Sequence, residues 1–317
     1  MTRLILSYLS PFELEVTVSQ LNKWSRKFIK KLRSISTLYN KKDTVISFIT
    51  ANHQLIQFDL ENKNVSRINK IQGISKDHIK YSYIEDTNNR IFILGGYDAS
   101  LKEIISFMYV IEENATAKEI SAEHYERLAF SLIVLRGELF VIGGFNQGTL
   151  KVCEKMDTKT FAWKSVPALN MKRCLPILST FNNNTIYAFG GSDGYSPLNS
   201  AERLIEGDDW WQSLPDFCQF NSSQLRIAGM AHQISANEII IFGGYKNNRK
   251  EPAEECLIYN IQKKCLTAQV NIPLEARFIE RGTMHLEHEK LFVLARNVFL
   301  YNAREKKWSI YCMLLKS

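Results

Sequence analysis

The chain has little of what would tie it to a membrane, an oxidising compartment or a metal. No stretch of its 317 residues approaches the roughly 20 consecutive apolar residues of a membrane-spanning helix. Its six cysteines, Cys153, Cys174, Cys218, Cys256, Cys265 and Cys312, include no C-x-x-C pair, so reduced thiols are expected. Histidine is scarce. Of the six, only His285 and His288 lie close together, and on a strand their rings would point to opposite faces. Neither a P-loop nor an H-E-x-x-H pattern occurs. Near the N-terminus, Arg3 and Leu4-Ile5-Leu6 begin like a signal peptide, but Glu13 and Glu15 interrupt the run. These absences lead us to expect no cofactor, no metal, no catalytic activity, and a cytoplasmic or nuclear location.

Charge is present but unevenly placed. The net charge is +7, yet residues 1–42 hold nine Lys/Arg and two acids, which accounts for all of it. A basic segment therefore precedes an electrically balanced body. The run Lys23, Arg26, Lys27, Lys30, Lys31, Arg33 lacks the interleaved aromatics that stack on bases, so no nucleic-acid partner is expected.

What the body does have is a repeat. Arg90-Ile-Phe-Ile-Leu-Gly95-Gly96, Glu138-Leu-Phe-Val-Ile-Gly143-Gly144, Thr185-Ile-Tyr-Ala-Phe-Gly190-Gly191 and Glu238-Ile-Ile-Ile-Phe-Gly243-Gly244 each read as a short apolar strand ending on paired glycines. Their first glycines stand 48, 47 and 53 residues apart, and Lys290-Leu-Phe-Val-Leu-Ala295-Arg296 is a fifth copy without the glycines. A second landmark keeps the same period: an apolar residue followed seven positions later by Trp or a smaller apolar one. The pairs are Phe58/Val65, Val110/Ala117, Met156/Trp163, Leu204/Trp211, Tyr259/Leu266 and Tyr301/Trp308. Polar turn residues lie between the two members, as a hairpin needs. Each unit thus reads as four short strands joined by hairpins, with boundaries at about 33–71, 78–121, 127–168, 173–216, 226–272 and 278–313.

The order strand, turn, strand-Gly-Gly, loop, strand, turn, Trp-strand resembles the kelch repeat. That resemblance implies an all-β, six-bladed kelch β-propeller over 33–317 that binds a client protein on one face, and the chain is expected to be monomeric. The six blades include a first whose innermost strand would come from Ser34–Tyr39 or Met313–Lys316.

Residues 1–32 are read as a separate, short α-helical N-terminal segment. Leu14, Val18, Leu21 and Ser25 fall on one helical face, Ser10-Pro11 is a sound helix start, and Lys30, Lys31 and Arg33 suit the helix end. A short helix, a Ser-Pro break and a helix through Asn22-Lys23-Trp24 resemble the later part of an F-box; the family's opening Leu-Pro has no counterpart here. The resemblance implies docking of an SCF ubiquitin ligase adaptor through Leu9, Leu14, Leu21 and Trp24, with the propeller as substrate receptor. The other reading is an amphipathic helix pair packed on the propeller.

Two residue sets are candidates for the client site. Arg127, Arg173 and Arg226 precede the first glycine of their blades by 16 or 17 residues, and Arg281 precedes Ala295 by 14. All four open innermost strands near one mouth of the ring, where they would suit carboxylate or phosphate groups. Hydrogen bonding to loop carbonyls would use the same residues, and the sequence leaves both uses open. The loops after Gly-Gly add Tyr97, Asp98, Tyr195 and Tyr245, aromatics beside polar residues, as interaction hot spots prefer.

Overall fold

The computed structural model describes residues 45–49, 53–60, 62–86, 88, 90–111, 115–121, 125–215, 226–246, 251–273, 283–287, 290–294 and 298–312. Every regular element among them is a strand. The helices expected over 1–32 lie outside the described residues.

Five sheets have the expected blade form, each an antiparallel meander. The third is built from Ser131–Leu135, Glu138–Ile142, Cys153–Asp157 and Trp163–Val166, and the fourth from Ile177–Phe181, Thr185–Phe189, Ala201–Ile205 and Gln212–Leu214. The fifth joins Met230–Gln233, Glu238–Phe242, Glu255–Asn260 and Cys265–Asn271, and the sixth Thr283–Glu287, Lys290–Leu294, Val298–Asn302 and Lys307–Cys312. The second carries five strands, because His78–Ile79 and Ser82–Glu85 both pair with the long strand Ile91–Asp98, ahead of Glu103–Ile111 and Ala117–Glu119. The first sheet has only three strands, Val45–Ile49, Gln54–Asp59 and Asn64–Lys70. The described residues therefore hold five blades rather than the six expected. The first sheet matches the outer three strands of a blade, and both segments proposed for its innermost strand lie outside the described residues.

Packing around the ring is continuous through this shorter sheet. Ile49 and Leu55 of the first sheet share a cluster with Tyr81, Ile93 and Tyr109 of the second. On its other side Ile46, Ile56 and Phe58 pack on Val298 of the sixth, and the Tyr311 hydroxyl donates to the Leu60 carbonyl at 3.0 Å. Each Gly-Gly strand is flanked by neighbouring sheets on both faces, so its residues are buried in succession: Leu139 through Ile142 and Ile239 through Phe242 are all inside.

The hairpin register agrees with the seven-residue landmark in most blades. Phe58 pairs with Val65, Met156 with Trp163, Tyr259 with Leu266 and Tyr301 with Trp308. The second sheet departs by one: Ala117 faces Ile111, not Val110.

Strand direction sorts the connections onto two faces. The loop after each Gly-Gly strand and the link into the next sheet emerge together on what we call the loop face. The tight hairpins, such as Arg136-Gly137 and Glu206–Trp210, lie on the opposite, turn face. The paired glycines end their strands at the loop face, and there the sheets crowd together. Gly143 has φ +62°, and a Cβ on it would stand 2.3 Å from the Arg173 carbonyl oxygen of the next sheet. Gly144 uses that same carbonyl, donating its N–H at 2.8 Å. No residue with a side chain fits there without displacing a backbone.

Candidate interaction face

The arginines that open the inner strands do not form an accessible rim. Arg127, Arg173 and Arg226 have no exposed surface at all. The Arg173 guanidinium donates to Glu202 at 2.8 Å, to the Gly190 carbonyl at 2.7 Å, and to the carbonyl and hydroxyl of Ser200 at 3.0 and 2.9 Å. Arg127 repeats the pattern with Glu154 and the carbonyls of Gly143 and Val152, and Arg226 donates to the Glu255 carbonyl at 2.8 Å. The guanidiniums of Arg127 and Arg173 each fasten the two ends of their own loop, where backbone carbonyls would otherwise be buried without donors. Burial lowers the pKa of Arg127 and Arg173 from its usual value, and Glu154 and Glu202 raise it back in part. The expectation that these side chains meet a client is corrected: they are inside the protein. Arg281, the fourth of the set, lies outside the described residues.

The glutamate of each clamp has a second use. Glu202 accepts the N–H of Asn170 at 2.6 Å and of Met171 at 3.4 Å, and Glu154 accepts the N–H of Tyr125 at 3.2 Å. Tyr125 and Met171 occupy the same place, two residues before the buried arginine, and each leaves close to half of its surface in solvent. The clamp thus fixes the backbone from which an apolar side chain projects.

Two further apolar side chains stand out on the loop face, and both ride on aspartate-closed turns. Asp193 accepts the N–H groups of Tyr195 and Ser196, each at 2.8 Å, and Tyr195 is 84% exposed. Asp98 accepts from the Ser100 N–H and hydroxyl and from the Leu101 N–H, and Leu101 is 62% exposed. These hydrogen bonds hold the Asp98 carboxyl below the usual carboxylate range, with the Ser100 hydroxyl contributing most. Asp98 is itself buried. Its place in the site is to shape the turn, not to touch a partner.

The other expected positions are distributed unevenly. Tyr97 is half-buried with the Lys80 ammonium 5.5 Å from its ring centre, and Tyr245 is half-buried and bridged to Ile227. Leu9, Leu14, Leu21 and Trp24 lie outside the described residues. Leu101, Tyr125 and Met171 were not singled out by sequence reasoning. The signal available for two of them was an apolar residue two places before each arginine.

One substitution sets the second sheet apart. Arg127, Arg173 and Arg226 are each followed, two residues on, by a residue with positive φ: Ala129 at 55°, Leu175 at 50° and Ala228 at 56°. Lys80, at 57°, holds that place in the second sheet, so His78 stands where the others have arginine. His78 lies 3.5 Å from Asp98, its Nδ1 is 3.2 Å from the Tyr109 hydroxyl, and its ring stacks on Phe107 at 4.3 Å.

Features that carry reaction chemistry elsewhere are used structurally here. Gly190-Gly191-Ser192-Asp193-Gly194 spells the G-x-S-x-G of serine hydrolases, but the strand runs into a loop, not a helix. The Ser192 hydroxyl instead accepts the Gly194 N–H at 3.1 Å. Burial pushes the Cys153 thiol up to about 12 and the Cys256 thiol up to about 11, away from the thiolate form a nucleophile needs. Among the described residues no three His, Cys, Asp or Glu side chains are grouped to hold a metal, and no helix is long and apolar enough to cross a membrane.

Comparison with known proteins falls on the part of the ring where the arginine clamps are complete. Residues 126–170 and 173–217, which take in the third and fourth sheets, match the family described as Kelch motif. The Kelch repeat-containing protein kel-10 of Caenorhabditis elegans is 32% identical over 118 residues, covering 35% of this chain and 19% of that protein. The chain thus spans about a fifth of the length of the curated relative it matches.

Proposed function

We propose that this chain is a protein-interaction module whose loop face seats a client protein, with Tyr195, Leu101, Met171 and Tyr125 as the anchoring side chains. One observation carries the reading. Four large apolar side chains project from the same face, and each is held on a backbone fixed by an arginine-paired or turn-closing carboxylate. Apolar groups that are pre-ordered before binding lose less entropy on association than mobile ones. Aromatic anchors among near-neutral polar neighbours are what binding hot spots use. Tyr97 and Tyr245 border this face and would line it.

The finer form of the proposal makes the module the substrate receptor of an SCF-type ubiquitin ligase, acting in the cytoplasm or nucleus. It rests on the F-box-like pattern of residues 1–32, with Leu9, Leu14, Leu21 and Trp24 meeting the adaptor.

One experiment tests both levels. The chain, a Tyr195→Asp/Met171→Asp variant and a Leu14→Asp/Trp24→Asp variant are each expressed with a proximity-labelling tag in cells. The loop-face variant is expected to lose labelled clients and keep the adaptor; the N-terminal variant is expected to do the reverse. Clients labelled equally by wild type and the loop-face variant would overturn the face. Adaptor absent from all three would overturn the ligase link and leave the interaction module standing.

A further inference from the structure

The turn face carries an exposed aromatic that the client reading does not use. Trp210 is 64% exposed, while the next residue, Trp211, is 2% exposed and packed between the third and fourth sheets. Trp210 ends the hairpin turn Glu206-Gly207-Asp208-Asp209-Trp210, which is braced at several points. The Glu206 N–H donates to the Asn184 carbonyl at 2.8 Å, the Asp208 N–H to the Ile205 carbonyl at 3.0 Å, and the Gln212 amide to Asp208 at 2.8 Å. The tryptophan therefore projects from a fixed support, not from a loose tip.

Beside this turn a cleft of about 180 Å³ opens between the two sheets, and Glu206, Gly207 and Asp208 form part of its wall. Its other walls are largely apolar, with Leu135, Phe140, Pro167, Ile186 and Leu204 among them. The local charge is not balanced. Glu206 is taken by Arg136, and Lys155 in the cleft is taken by Glu138 at 2.7 Å. Asp208 and Asp209 have no ion pair among the described residues. An exposed indole, two carboxylates without an ion pair and an apolar cleft thus stand side by side, with Arg203 reaching the Gln212 amide that also binds Asp208.

We propose that this surface takes a basic peptide segment of a second partner, with an arginine or lysine over Trp210 and a neighbouring apolar side chain in the cleft. A cation over an indole face is attracted by the ring quadrupole, and tryptophan is the best of the aromatics for this. Asp208 and Asp209 supply the complementary charge, and the cleft supplies the apolar contact that separates specific from purely electrostatic binding. An acidic or neutral peptide meets none of the first two terms. The site lies on the face opposite Tyr195, so the two partners can be held at once.

Fluorescence anisotropy of labelled peptides against the full chain tests the proposal. The probes are Gly-Gly-Leu-Arg-Leu-Gly-Gly and the same peptide with Glu in place of Arg. The basic probe is expected to bind at least about tenfold more tightly, and Trp210→Ala to cost about tenfold, as losing a cation–π contact should. Asp209→Asn and added salt should each weaken binding severalfold. Tyr195→Ala should leave it unchanged, and none of these exposed substitutions should shift the melting temperature. Equal binding of the two probes, absence of binding, or binding indifferent to Trp210→Ala would overturn the assignment. So would sensitivity to Tyr195→Ala, which would move the site to the loop face. Self-association of the chain that Trp210→Ala abolishes would give the cleft to a second copy and overturn the peptide.

Discussion

The fourth and second sheets solve the same problem at the loop face by different means. In the fourth, the two ends of the long loop are tied by one buried ion pair, Arg173 with Glu202, and the glutamate also holds the backbone beside Met171. In the second, histidine replaces the arginine, and Tyr109, whose hydroxyl lies 3.2 Å from His78 Nδ1, stands where Glu202 and Glu154 stand, opposite the residue two before the first glycine. The strands there run on instead. Ile91–Asp98 continues through Gly95 and Gly96, and the ladder extends over Gly96–Ile105, Tyr97–Ile104 and Asp98–Glu103. Support has passed from a side-chain network to backbone hydrogen bonds, and the hairpin reaches outward far enough to present Leu101. The lesson is that an exposed anchor can be held either by a buried charge pair or by a longer ladder. The two should fail differently.

The largest effect tests the interface that the complete clamps serve. Trp211 lies between the third and fourth sheets with its indole N–H on the Pro167 carbonyl at 2.9 Å, whereas Trp163, at the same landmark between the second and third, is only half-buried. Trp211→Ala should destabilise the ring by about 3–5 kcal/mol, in the range for a buried tryptophan. Trp163→Ala should cost clearly less. Chemical denaturation of the two variants measures the gap, and equal losses would mean that the second sheet is packed as tightly as the fourth.

Next comes the clamp itself. Arg173→Ala leaves Glu202 charged and buried, and breaking such a pair costs about 3–5 kcal/mol. His78→Ala removes a longer interaction beside a ladder that survives it, so about 1 kcal/mol is expected. The double variant Arg173→Ala/Glu202→Ala should recover part of the loss, since no orphan charge remains. Similar costs for Arg173→Ala and His78→Ala would show that the second sheet depends on its polar contact after all.

How much of this was legible from residues alone follows from what each signal reports. The apolar strand ending in Gly-Gly and the seven-residue hairpin landmark are backbone signals, and the register of most blades agrees with them. The landmark slipped by one in the second sheet, where the sequence pattern is the same and only the observed pairing separates the two registers. The arginines were found at the right places, but the choice between a client and the loop carbonyls was left open. Spacing puts a residue at a strand mouth, yet whether it points inward depends on its partners, here Glu154 and Glu202 on a strand some 27 to 29 residues away. The substitution by His78 was invisible for the same reason: nothing in its neighbourhood spells the arginine's motif, and only the shared positive φ two residues later aligns it. The six-blade count came from the landmark at Phe58 and Val65, which is present, although the strand that would complete that blade lies outside the described residues.

The smallest expected effect is a titration at the junction of the first two sheets. His53 sits there, its ring centre 5.6 Å from that of Tyr81. Burial, first of all, lowers its pKa from the usual 6.5; the positive charge of Lys70 and the neighbouring His78 act in the same direction, against a hydrogen bond that raises it. A histidine whose folded pKa lies below its unfolded value binds its proton more readily in the unfolded chain. Its contribution is therefore fully present above pH 6.5 and is lost as pH falls from there through the folded pKa. Asp98 keeps its charge across this window, because its own pKa is depressed from 3.8 and its loss belongs to much stronger acid. Wild type should thus lose stability relative to His53→Gln on going from pH 7 to pH 5.5, by no more than about a degree or two of melting temperature, since the residue is only partly buried and is screened. Taking the difference between the two proteins at each pH cancels the titrating groups that do not interact with His53. In the fourth sheet, whose loop is tied by Arg173 and Glu202, amide protection factors, which remove the intrinsic pH dependence of exchange, should stay level over the same range, while those of Gln54–Asp59 should fall as the solution is acidified. A wild type that gains on His53→Gln as pH falls, or a difference that does not change with pH, would mean that burial does not set the titration of His53.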